Sequence, residues 1–439
     1  MATAPGLVIA APASGSGKTL LTLALLRALR QAGVRVAAAK TGPDFIDPAF
    51  HAAASGNRCL NLDPWAMRPA TLDALIHRLG GNADLVLCEG VMGLFDGIDA
   101  AGTGSTADLA AYAGWPVVLV VDARGQAASA AALVAGFAHH RVDVDVVGVI
   151  FNRVGGGAHV DVLRGALASR LPEIAFLGAV PRSDDLALPS RHLGLVQARE
   201  HGDLAAFITR AAESVAGRVD LARLMRLARQ TRIGAAAAAA PLPPLGSRIA
   251  VARDDAFAFA YPATLETWRA QGCALSFFSP LADEPPAADA EAVYLPGGYP
   301  ELHAGKIAAA RRFLAALREA AERGALVYGE CGGYMTLGQG LVDESGARHA
   351  MAGLLPLESS FAARRLHLGY RVVRLLCDAP WADRDQVFRG HEFHYACVID
   401  EGEGEPLFAS QDARGVPLGP AGRRAGRVMG SFVHLIDLA

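Results

Sequence analysis

Apolar residues along the first half of the chain fall into short continuous runs separated by stretches of helical spacing. GLVIAAP predicts a strand, TLLTLALLRALRQAG a helix ended by its glycine, and VRVAAAK a second strand. The runs ADLVLCEG, WPVVLVVDA and VDVVGVIFNRV follow, rich in β-branched residues and bounded by turns, with helical stretches such as SAAALVAGFAHH between them. Continuous apolar strands alternating with helices predict a parallel sheet covered on both faces.

The pattern is interrupted by GAAAAAAPLPPLG, in which Pro241, Pro243 and Pro244 cannot continue a helix. Residues 235–246 therefore read as a linker between domains spanning 1–234 and 247–439. Beyond it the alternation restarts with RIAVA, PATLETWRAQG, LSFFSPL, AVYLPGG, KIAAARRFLAALREAAERG and ALVYGEC. The later runs YRVVRLL, FRGHEFHYACVID and GSFVHLIDL look antiparallel. Both halves are expected to be α/β, and no short-period repeat is visible.

Composition narrows the class. The 439 residues are 52% apolar and 19% charged, enough core material for two domains. A formal net charge of −3 argues against nucleic acid or an anionic membrane as main partner. No apolar run reaches a membrane span, and the N-terminus lacks the charged region of a signal peptide, so a cytoplasmic protein is expected. The six cysteines form no CxxC pair, which argues against a disulfide framework or zinc site. Of 41 basic residues only Lys18, Lys40 and Lys306 are lysine. Arginine cannot replace a compact ammonium folded into a phosphate cradle, so the two lysines near the N-terminus stand out.

Lys18 closes Ala13-Ser14-Gly15-Ser16-Gly17-Lys18-Thr19, placed where the first strand meets the first helix. Glycines let the backbone turn its amides toward phosphate, and the helix start adds a favourable dipole. Ser14, Gly15, Ser16 and Gly17 would line a nucleotide, Lys18 would lie along its outer phosphates, and Thr19 would offer a hydroxyl to Mg²⁺. Glu89, ending the strand in ADLVLCEG, is placed to be a second carboxylate that organises the metal. In KTGPDFIDP, after the second strand, Lys40 and Asp44 sit where a nucleotide or metal site should lie, with Asp47 a weaker candidate for substrate. A solvated loop built on turn-forming Asp and Pro is the plain alternative.

In ALVYGECGGYM an apolar strand runs into G-x-C-x-G, the setting of a nucleophile on a tight strand-to-helix turn. A thiol at a helix start is expected to have a lowered pKa. Cys331 needs a partner base, and His434 near the C-terminus is the candidate, with His391 and His394 in GHEFHY as competitors. Gly297 and Gly298, ending another strand in LPGGYPE, either present amides as an oxyanion hole or form a plain turn.

Together the stretches SGSGKT, KTGPDFIDP, CEGVMGLFDG, GSTADLA, PSRHLGL, PGGYPEL, YGECGGYMTLG and GHEFHY resemble the glutamine-dependent corrinoid amidotransferases over nearly the whole chain. That resemblance implies a dethiobiotin-synthetase-like P-loop domain followed by a class I glutamine-amidotransferase-like α/β domain. It implies ATP, Mg²⁺, L-glutamine and a corrin polycarboxylate as ligands. It also implies an acyl phosphate made on the a- and c-acetates of the ring in cobalamin biosynthesis, and thioester chemistry at Cys331. Cationic Arg191 and His192 in PSRHLGL would meet ring carboxylates. The chain departs from related proteins in carrying Pro12 and Ala11 where glycine often opens the loop. Class I glutaminases also place a glutamate two residues after the histidine; Ile436 stands there, so a Cys331–His434 dyad is implied. The rival readings are amidation of other tetrapyrrole side chains, as in cobyric acid or nickel-sirohydrochlorin chemistry, and a non-catalytic P-loop ATPase partner, where an extra lysine often replaces the residue at Ala13. Whether the ring holds cobalt, and whether the protein is a homodimer, the residues leave open.

Overall fold

Seven strands build the first sheet of the computed structural model: β1 (Gly6–Ala10), β2 (Val36–Thr41), β3 (Cys59–Leu62), β4 (Leu85–Glu89), β5 (Val117–Asp122), β6 (Val146–Val154) and β7 (Ala175–Pro181). Their order is β3-β2-β4-β1-β5-β6-β7, and every pairing is parallel. β1 and β4 are buried at every position, as continuous apolar strands between helical layers must be. Helix α1 (Lys18–Gln31) buries Leu21, Leu25, Leu26 and Leu29 and stops just before Gly33, near the end the sequence implies. β3 and β7 were not anticipated. CLNL is only four residues long and interrupted by Asn61, and AFLGAVP is broken by a glycine, so neither carries a clear period.

The structure describes residues 3–183, 186, 190–191, 194–195, 197–234 and 240–439, with backbone only at 190, 191, 194 and 195. The chain divides into two units, Met1–Trp65 with Pro69–Ala239, and Ala66–Arg68 with Ala240–Ala439. Among the described residues no helix is long and apolar enough to cross a membrane.

The second unit is built on a sheet of ten strands. Five are parallel, in the spatial order Ala274–Phe278, Arg248–Ala252, Ala292–Leu295, Leu326–Glu330, Val428–Ser431. The other five, Pro417–Ala425, Glu405–Asp412, His367–Leu375, Val387–His394 and Val433–Leu438, continue it antiparallel, as the later runs suggested. Alternate residues of the central strands feed two cores. Val293, Leu295 and Val327 join Phe313, Leu317 and Tyr334. Tyr294 and Tyr328 join Trp268, Trp381 and Phe388.

Candidate active sites

In the first unit the loop between β1 and α1 is shaped by Gly15 and Gly17, whose φ angles of 79° and 86° lie in the left-handed region. A Cβ at Gly17 would stand 2.3 Å from Nδ2 of Asn152, so only glycine fits. Asn152 Nδ2 donates to the Ser16 carbonyl at 2.9 Å, and Arg153 Nη1 donates to that of Gly15 at 2.7 Å while pairing with Asp122. The ends of β5 and β6 thus hold the loop in shape. Ser14 and Gly15 are exposed, Ser16 and Lys18 are buried, and Lys306, far along the chain, is exposed.

Lys40, next to last in β2, lies beside Glu89, which ends β4, and the two are direct partners in the sheet register. Lys40 Nζ lies 2.6 Å from Asp47 Oδ2 and 3.1 Å from Glu89 Oε1. Thr19 Oγ1 donates to the same Glu89 oxygen at 2.6 Å and reaches Asp47 at 3.3 Å. His51, one turn after Asp47 on helix α2 (Asp47–Ser55), pairs with the other Glu89 oxygen. Burial alone would raise the Glu89 carboxyl, but Lys40, His51 and Lys18 outweigh it and hold it below the carboxylate range. Burial would likewise lower Lys40, yet Asp47 and Glu89 keep it charged well beyond neutrality. Lys18 is lowered by burial and by Lys40. Deleting one member of such a buried pair costs ~3–5 kcal/mol, which ties this cluster to the fold as well as to chemistry.

Asp44 takes a different part. Its Oδ1 accepts the amides of Ile46 at 2.7 Å and Asp47 at 2.9 Å, pinning the turn that opens α2. Burial and neighbouring Asp47 push its carboxyl up to about 6. Asp47, ranked behind Asp44 from sequence, is the one whose carboxylate meets Thr19 and Lys40. His51, Asn152 and Arg153 were missed. The i, i+4 spacing from Asp47 signalled the first, and FNRV at a strand end the others. Arg191 lies in a two-residue strand whose side chains are not described, and His192 lies outside the described residues.

In the second unit Cys331 follows the strand Leu326–Glu330 with φ 49° and ψ −105°, a backbone state that non-glycine residues rarely take. Its amide donates to the Ser431 carbonyl at 2.8 Å, and its carbonyl accepts the Met335 amide at 3.0 Å. A Cβ at Gly297 would stand 2.3 Å from His434 Cε1, 3.0 Å from His434 Nε2 and 3.2 Å from Cys331 Cβ. The imidazole and the thiol-bearing carbon therefore flank one point that Gly297 leaves clear. The Gly298 nitrogen faces the same turn, 3.1 Å from where a Cβ on Gly332 would stand. His394 is engaged elsewhere, with Nε2 2.9 Å from Glu392 and its ring stacked on Phe432 at 4.1 Å. His391 lies opposite His434 across the strand pair, edge-on to Tyr370.

The expectation of a lowered thiol pKa is not met. The helix after Cys331 spans only Gly332–Leu337, and the side chain is 2% exposed. Burial, then the charge of Glu301, push the thiol well above its usual range. Burial and the neighbouring His391 and His394 bring His434 down to about 3. Glu330, with the preceding position, is buried too. Burial raises it to about 7 against the hydrogen bonds it accepts from Tyr294 and the Leu435 amide.

His367, Glu392 and His394 place ligand-type atoms within 4.8 Å of one another. The His367 and His394 rings stack 8° from parallel at 4.7 Å, so one ion cannot lie in both ring planes, and Glu392 is already paired with Arg371. We do not read it as a metal centre.

Two family models match the chain: a CobQ/CobB/MinD/ParA nucleotide binding domain over residues 7–196, and a CobB/CobQ-like glutamine amidotransferase domain over 248–439. Relatives named hydrogenobyrinate a,c-diamide synthase include that of Brucella anthropi, 56% identical over 98% of both chains. Those of Rhizobium meliloti, 54% identical over 99% of both, and Rhodobacter capsulatus, 52% over 98% of both, are similar to the chain throughout. Among solved structures, PurLQS from Thermotoga maritima overlaps 43% of this chain and 86% of its own at 18% identity and a TM-score of 0.30, too little to argue from. The full-length matches are decisive: the chain belongs to the hydrogenobyrinate a,c-diamide synthase family of glutamine-dependent amide-forming ligases.

Proposed function

We propose that the chain converts the a- and c-acetate side chains of hydrogenobyrinate to amides in cobalamin biosynthesis, consuming ATP and L-glutamine with Mg²⁺. One observation carries the reading. Thr19, Lys40, Asp47 and Glu89 gather at the phosphate loop of a chain that also sets Cys331 beside His434.

A carboxylate resists amide formation because its leaving oxygen is poor and its charge repels attack. Its oxygen attacks the γ-phosphorus of ATP, ADP leaves, and an acyl phosphate results. Glycine amides of the loop hold the phosphates, and Lys18 and Lys40 offset charge that develops in transfer. Thr19, Asp47 and Glu89 supply the oxygen donors Mg²⁺ takes, and the ion, when bound, adds charge neutralisation there. Asp44 serves by fixing the turn that aims Asp47.

At the second centre the Cys331 sulfur attacks the glutamine amide carbon. His434 takes the thiol proton and passes it to the departing ammonia, leaving a thioester that water hydrolyses to glutamate. Amides at Gly297 and Gly298 suit the developing oxyanion. Ammonia then attacks the acyl phosphate and phosphate leaves.

The test uses purified protein with metal-free and cobalt-bearing rings. We expect two amides on hydrogenobyrinate, and Cys331→Ser to lose glutamine-dependent synthesis while added ammonia still supports it. Glutamine use retained by the variant removes Cys331 from its role, and preference for the cobalt ring overturns the substrate.

A further inference from the structure

The resemblance implied a dyad, because Ile436 stands where class I glutaminases place the carboxylate that orients their histidine. We propose that Glu330, the residue before the nucleophile, is the positioning residue for His434. This rests on reading Cys331 and His434 as the glutaminase pair.

The geometry points to it from both sides of the imidazole. The Cε1–Nε2 edge of His434 borders Gly297, with Cys331 Cβ against the same point. Nδ1 faces the other way, 3.8 Å from Glu330 Oε2. Both side chains are at most 4% exposed, so solvent screens the pair little. A carboxylate at Nδ1 favours the tautomer that keeps the proton there, leaving Nε2 to accept the thiol proton, and it stabilises the imidazolium that forms. The distance exceeds a hydrogen bond, and such contacts are often long before substrate binds.

Glu330 is itself held in place. Oε1 accepts the amide of Leu435 at 3.1 Å, tying it to the backbone next to the imidazole, and Oε2 accepts the Tyr294 hydroxyl at 2.8 Å. Other nearby carboxylates are committed. Asp437, adjacent in sequence, binds the Arg68 amide and guanidinium, and Glu392 binds Arg371 and His394. One residue position thus sets both partners: the strand that ends on Glu330 delivers the thiol, and its carboxylate braces the base.

The test compares full-length wild type, Glu330→Gln and Cys331→Ser with glutamine and with ammonia across pH. Glutamine is isosteric: its carbonyl oxygen still accepts the Leu435 amide, and its NH2 turns the Tyr294 hydroxyl from donor to acceptor, so it removes charge more than shape. We expect E330Q to lose glutamine-dependent kcat by about 100-fold with little change in KM, and to keep ammonia-supported turnover. The groups facing Glu330 are Tyr294, Tyr328, the Leu435 amide and His434; His391, His394 and Glu392 act on His434, and Glu301 on Cys331. With its carboxyl near 7, wild-type glutamine turnover should fall on the acid side as Glu330 protonates, and E330Q should lack that limb. Should E330Q fail to fold, Tyr294→Phe serves: loss of a hydrogen bond that lowers the Glu330 pKa should move the limb to higher pH, and an unmoved limb overturns the proposal. Glutamine kcat near wild type in E330Q, or loss with both nitrogen sources alike, also overturns it. Glutamine use by C331S would instead strike the reading beneath it.

Discussion

Gly297 has no side chain because none fits between His434 and Cys331. A Cβ there would overlap His434 Cε1 at 2.3 Å, so Gly297→Ala must displace the imidazole. A shift of that size costs about 100-fold in a well-aligned proton transfer. Glutamine-dependent turnover of G297A should fall by roughly that factor while ammonia-supported turnover persists, and equal activity with glutamine would show that the close approach is not catalytic. Residue type made several positions legible in advance. Lysine was rare enough for Lys18 and Lys40 to stand out, and Cys331 was marked by its flanking glycines. Glu330 was not legible. Its reach to His434 depends on how segments about a hundred positions apart in sequence pack together, which no local pattern encodes. The different contacts of Asp44 and Asp47 were not legible for a similar reason. Both are turn carboxylates, and only the observed turn turns one inward to its amides and the other toward Lys40.

At the scale of elements, strand–turn–helix junctions carry both candidate centres, and these junctions were readable because continuous apolar runs give way to glycine-rich turns. What periodicity could not supply was the depth of burial. The junction at Cys331 was read as an activating helix start. Its helix is short and its pocket closed, so burial dominates and the thiol is raised while His434 falls to about 3. A raised thiol and a lowered imidazole both favour the neutral pair over thiolate and imidazolium at neutral pH. Alkylation of Cys331 by iodoacetamide, without glutamine, should therefore be slow at pH 7 and climb steadily into the alkaline range. A plateau already reached below neutrality would mean a standing thiolate and contradict this. The inference for catalysis is that the proton leaves sulfur only when glutamine occupies the site.

Over the whole molecule, the alternation of strands and helices and the antiparallel end of the second sheet could be read from the chain. The short Ala66–Arg68 segment grouping with the second unit could not, since nothing in its three residues distinguishes it from its neighbours. On the proposed reading, ammonia reaches an activated carboxyl only if it escapes protonation in bulk water. The central claim is that ATP activates the ring carboxyl by taking one of its oxygens, and that glutamine fills the gap with nitrogen. The most direct measurement combines ¹⁸O-labelled ring carboxylates with amide-¹⁵N glutamine and follows both labels by mass spectrometry. For each amide formed, the account predicts one ¹⁵N in the product and one ¹⁸O in inorganic phosphate; amide formation with phosphate free of ¹⁸O would contradict it.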